Sequence, residues 1–105
     1  MRRRIVFGLL PVVGIAAASA LARRPSFEPP EGFIPNEKTA IRVAEAVLSP
    51  IYGEEQILSE RPFSARLRGG VWTVSGSLPE GADGGVAEIR IAKKTGCILS
   101  VIHGK

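Results

Sequence analysis

Side chains able to do chemistry are few here, and they are not spaced to act together. A metal site needs three or four His, Cys, Asp or Glu ligands converging, yet the chain has one His and one Cys. His103 stands two residues from the end of the sequence, where chains commonly fray, and no Gly-x-Ser-x-Gly elbow supplies a nucleophile for it to activate. Gly69, Gly70, Gly76, Gly81, Gly84 and Gly85 have no helix after them, so they do not form a phosphate loop, and most of them read as turn residues. Glu54 and Glu55 are adjacent carboxylates, but neighbours on a helix point in different directions, which suits a solvated helix start. These residues imply neither a metal nor a cofactor, and they favour binding over catalysis.

The elements that would position them can be read from periodicity. Asn36 is placed to cap a helix after Pro35, with Glu37 at the positive end of its dipole. Ala40, Val43, Ala44, Val47, Leu48 and Ile51 then recur at i, i+3, i+4, i+7 and define one buried stripe. Pro50 predicts that this helix ends or bends at Ser49, with a short helical turn resuming over Glu54 to Leu58. From Pro62 the period becomes two. Phe63, Ala65 and Leu67 alternate with Ser64, Arg66 and Arg68, and Gly69-Gly70 offers a hairpin reversal into Val71 to Ser77. Val86 to Ala92 and Cys97 to Ile102 supply two more strands, joined through Lys93 to Gly96. In the last strand Cys97, Leu99 and Val101 oppose Ile98 and Ile102, which predicts a buried Cys97. Four sequential strands with short connections favour an antiparallel meander. The fold class is α+β: one amphipathic helix packed on a four-stranded antiparallel meander sheet, with one sheet face left for strand curvature, a loop or another molecule to cover.

At 105 residues, the chain holds one globular domain at most. Residues 1–22 read as a signal peptide: a cationic start at Arg2-Arg3-Arg4, an apolar run from Ile5 to Ala22, and small residues that suit cleavage after Ala20 or Ala22. The alternative is a retained anchor formed by residues 5–22, which is short against the roughly 20 residues a span needs and is interrupted by Pro11 and Gly14. The paired arginines leave Sec and twin-arginine export both open. Residues 23–32, with Pro25, Pro29 and Pro30, form a Pro-rich linker, and no fixed structure is expected before about Phe33. Of the 14 Lys and Arg, setting aside Arg2, Arg3 and Arg4 leaves 11 against 10 Asp and Glu. A body so nearly neutral gives no electrostatic case for nucleic acid. Contact with a membrane is expected only through an uncleaved N-terminal segment, and the single Cys97 rules out an intrachain disulfide.

The stretch from about Phe33 to Lys105 resembles the small bacterial NTF2-fold immunity family of polymorphic toxin systems. The residues that carry the resemblance, in order, are Pro50 to Glu54, Pro62-Phe63, Trp72, Gly76, Leu78-Pro79, Gly84-Gly85-Val86, Ile89, Ile91, Gly96, Ile98 and His103 to Lys105. It implies a stoichiometric toxin neutraliser that acts by binding, with no enzymatic step, and a curved, cone-like sheet. The family's fold usually brings about three helices, so this chain would be a reduced NTF2-like (cystatin-like) version. The alternatives are an envelope small-ligand or protein binding module of NTF2-like type and, ranked below it, a small NTF2-like enzyme, since some NTF2-fold proteins are enzymes that enclose a small ligand with an acid or base and a phenol. Tyr52 and Glu54 are the residues that would serve here, in a cavity of roughly 300 Å³ or more. The expected partner is a cognate protein toxin, met in the cell envelope. The residues expected to touch it are Tyr52, Glu54, Arg66, Arg68, Trp72, Arg90, His103 and Lys105. Trp72 is a core anchor by default and an interface residue only if its face is uncovered. The arginines are either solubilising charges or a steering patch for an acidic toxin.

Overall fold

The computed structural model describes residues 25–104. The signal-peptide and anchor readings, the first two linker residues and Lys105 therefore lie outside the described residues. In chain order the elements are α1 (Glu37–Tyr52), α2 (Glu54–Ser59), β1 (Ser64–Arg68), β2 (Val71–Ser75), β3 (Ala87–Ala92) and β4 (Ile98–His103). The four strands form one antiparallel sheet in the order β1-β2-β3-β4, with both helices preceding it. This is the α+β meander that the periodicity implies.

Helix α1 begins where Asn36 accepts from the Thr39 amide at 2.9 Å, satisfying one of the unpaired donors of the first turn. Ala40, Ala44 and Leu48 are fully buried at i, i+4, i+8, and Val43 and Val47 pack partly buried beside them, whereas Ile51, expected in the same stripe, is exposed in the last turn of the helix. The two alanines let the helix axis approach the sheet closely. The helix packs across β1, β2 and β3. It runs through Pro50 to Tyr52, three residues beyond the expected stop. Proline removes only its own amide, and so close to the C-terminus the remaining turn is closed by Gly53, whose N–H donates to the Ser49 carbonyl at 2.8 Å. Helix α2 then buries Ile57 against the same core.

The inner face of the sheet is set by register. Ala65, Val74, Ile89 and Val101 form one cross-strand row, and Leu67, Trp72, Ile91 and Ile98 form the next. Val74, Ile89 and Ile91 are fully buried beneath α1, and burying a side chain of this size is worth about 1.5–3 kcal/mol. Gly69 and Gly70 both have positive φ, at 56° and 75°, as a two-residue hairpin turn requires. The strand β4 departs from simple alternation. Arg90 pairs with Ser100 but Ile91 pairs with Ile98, so Leu99 is an extra residue and the phase of the strand shifts there. Cys97 consequently lies outside the strand and is exposed, in place of the buried position that alternation predicts. Ile98, Leu99 and Ile102 are also exposed.

The fixed chain starts earlier than composition implies. Phe33 and Ile34 donate their amides to the carbonyls of Lys94 and Lys93 at 3.1 and 3.0 Å, Gly32 is buried, and Lys93 Nζ donates to the Glu31 carbonyl. Residues 29–34 thus form a strap against the β3–β4 turn. It is held mainly through backbone groups, which leave no mark on residue type.

Candidate functional site

Two groups of side chains stand out, on opposite sides of the sheet. The first is centred on Glu60, just after α2, which has only 2% of its surface exposed. Its Oε1 accepts from the Ala87 amide at 2.7 Å, and its Oε2 accepts from Gln56 Nε2 at 2.8 Å and from His103 Nε2 at 2.9 Å. Helical spacing places Gln56 one turn before Glu60, while β3 and β4 deliver Ala87 and His103, which are register partners. Room for the carboxylate comes from Gly76, where an added Cβ would sit 2.6 Å from Glu60 Oε1.

His103 is tied on both sides. Nδ1 lies 2.8 Å from the Gly104 carbonyl while Nε2 faces Glu60. With an acceptor oxygen at each nitrogen, only the doubly protonated ring satisfies both contacts as a donor. The bond to Glu60, helped by the Gly104 carbonyl and the attraction of the carboxylate, accordingly pushes the imidazole up from its ordinary value against a smaller opposing effect of burial. Burial alone would push the Glu60 carboxyl up. The Ala87 amide, Gln56 and His103 together outweigh it and hold the carboxyl below its ordinary value. The Tyr52 ring lies against His103, with centroids 5.0 Å apart and planes tilted by 54°. The cluster therefore ties the end of α1, the end of α2, β3 and the last strand into one unit, and it leaves His103 no free nitrogen to offer a substrate.

An open depression beside this cluster is lined by Tyr52, Gly53, Glu55, Gln56 and Ser59. Glu54 is exposed at the start of α2 and is not on its wall, so Tyr52 and Glu54 do not share one enclosure. Of the residues picked from sequence, Tyr52 and His103 come together, but the residue that organises them, Glu60, carried no signal in the sequence. A carboxylate after a short helix reads as solvated, and only tertiary contact reveals its burial. Gln56 four residues earlier is the one local hint.

The second group lies on the open face of the sheet. Arg66, Thr73, Arg90 and Ser100 form one cross-strand row, and Arg68 sits two residues from Arg66 on the same face. All three arginines are exposed. Trp72 points the other way. It is 6% exposed, and its indole N–H donates to the Ile34 carbonyl at 2.8 Å, so it anchors the strap to the core. Among the described residues no group of three or more His, Cys, Asp and Glu is placed to hold a metal ion, and no helix is long and apolar enough to cross a membrane.

The family model for NTF2 fold immunity proteins matches residues 39–105. The chain belongs to this family. The match takes in both side-chain groups, the whole sheet, α2 and nearly all of α1, beginning in the first turn of that helix. This NTF2-fold chain is also 37% identical over 73 residues to the uncharacterized protein YbbC of Escherichia coli (strain K12). The overlap takes in 69% of this chain and 60% of that relative's length. No solved structure matches the chain.

Proposed function

We propose that the protein is an exported immunity protein that binds a cognate toxin in the cell envelope and blocks it by occupancy, without catalysis. Family membership supports the immunity role. The observation that carries the binding mode is the sheet's free face: α1 lies across β1, β2 and β3 on the inner side, and the arginine row on the other side stays exposed. On this reading residues 1–22 act as the export signal, and residues 5–22 as an anchor if they are retained.

The reading is tested by expressing the full chain with a toxin encoded beside it and scoring survival. Protection at matched stoichiometry, together with recovery of the two proteins as one complex from envelope extracts, is the expected result. A chain that protects at far below stoichiometric amounts would be acting by turnover, and the occupancy reading would fall. N-terminal sequencing of the envelope form should begin at Leu21 or Arg23.

A further inference from the structure

We infer that the open sheet face is a docking site for an acidic protein surface, gripped by Arg66, Arg68 and Arg90 around Thr73. That the acidic partner is a toxin rests on the immunity reading; the site itself does not.

The geometry follows from register. Neighbouring strands lie about 4.8 Å apart, so Arg66 and Arg90 stand about 10 Å from each other with Thr73 between them, while Arg68 is about 7 Å along β1 from Arg66. Arg66, Arg68 and Thr73 line a surface depression. The ion pairs among the described residues are Arg61–Glu45, Lys93–Glu31 and His103–Glu60, and none involves these three arginines. The only carboxylate that the four strands place on this face is Glu88, which faces the Ser75 hydroxyl at 3.4 Å. Three positive charges against one negative leave the face short of anions. Like charges gathered on one sheet face repel each other, and an acidic partner relieves that repulsion.

Residue type narrows the partner. Guanidinium is a planar fork that pairs bidentately with carboxylates and is weakly hydrated, so it suits an interface that must shed water. Phosphates satisfy the same fork, but single-stranded nucleic acid also wants aromatic platforms for its bases. Trp72 is turned into the core, and Tyr52 lies against His103 on the inner side. The near balance of 11 basic and 10 acidic residues from Arg23 onward also lacks the broad positive field that nucleic acid selects.

The test uses protein purified from cells expressing the full chain and titrated with octaglutamate, with a 12-base-pair DNA duplex as comparator, followed by NMR at two salt concentrations. Saturable shifts are expected at Thr73, Ser100 and the arginine side chains, weakening with salt. Arg66→Glu with Arg90→Glu should weaken octaglutamate binding about tenfold or more. The control Lys38→Glu with Arg42→Glu on α1 makes the same change in net charge and should weaken it far less. If the double reversal melts early, Arg66→Gln with Arg90→Gln gives the same comparison. Equal loss in the control, shifts centred elsewhere, or tighter binding of DNA at matched salt would overturn the inference. In the survival assay, a wild type that protects and a double reversal that protects equally would overturn the toxin as the occupant of this face and leave the immunity reading standing. Failure of the wild type to protect would remove the immunity reading, with the octaglutamate result still deciding the site.

Discussion

Replacing Glu60 by glutamine separates the charge of this residue from its shape. The oxygen of the introduced amide can still accept from the Ala87 N–H, and Gln56 can turn its own amide to match, so the loss concentrates on His103. A hydrogen bond to a charged group is worth about 1.5–3 kcal/mol, and the pair here is 2.9 Å apart with Glu60 almost wholly buried and His103 about one quarter exposed. With a urea slope of about 1–1.5 kcal/mol/M for a body of this size, the midpoint at pH 5.5 should drop by about 1–3 M. The sign of the pH dependence is fixed by the two shifts. His103 is raised on folding, so its contribution is complete below its unfolded value near 6.5 and is lost as pH rises through the folded value. Glu60 is lowered, so its contribution is complete above its unfolded value near 4.5 and is lost as pH falls through the folded value. The wild type should therefore be most stable between about pH 4.5 and 6.5 and should weaken on both sides. Urea melts followed by circular dichroism at pH 5.5 and 9 provide the comparison. The gap between wild type and Glu60→Gln should narrow at the higher pH. A gap of equal size at both values would show that the imidazolium is not what Glu60 holds.

Two further substitutions test neighbouring contacts. Gly76→Ala places a methyl group 2.6 Å from Glu60 Oε1 and 3.2 Å from the Phe63 ring, and should cost about 1–3 kcal/mol, read as a lower Tm, because the carboxylate cannot retreat without giving up Ala87. Trp72→Phe keeps a large ring but leaves the Ile34 carbonyl without its indole donor. A loss of about 1–3 kcal/mol is expected, with faster hydrogen exchange at Phe33 and Ile34, and unchanged exchange there would mean the strap is held independently of the tryptophan.

Much of the scaffold was legible because burial and periodicity reinforce each other. The stripe of Ala40, Ala44 and Leu48, the Asn36 cap, the Gly69-Gly70 reversal and the alternation of β1 to β3 each state a local preference that the packed structure keeps. The remainder depends on contacts distant in sequence or on backbone alone. Nothing beside Glu60 announces that Ala87 and His103 will converge on it, 27 and 43 residues later. The extra residue at Leu99 moves Cys97 out of the strand, and alternation cannot reveal a bulge from within one strand. Residues 29–32 lack large apolar side chains to bury, so their docking through carbonyls and amides has no compositional trace. His103 gave the opposite lesson, since nearness to the end of the sequence suggested fraying while Glu60 holds it in place.

The strap at residues 29–34 has a bearing on how the domain would stand at a membrane. Only six residues, Arg23 to Glu28, separate Ala22 from Pro29, a tether of about 20 Å at full stretch. Were the apolar leader kept in the bilayer, so short a leash would hold the edge bearing the 69–70 and 93–96 turns nearest the lipid. The strands would then rise away from the surface, and the arginine row would open sideways, within reach of a molecule travelling along the membrane.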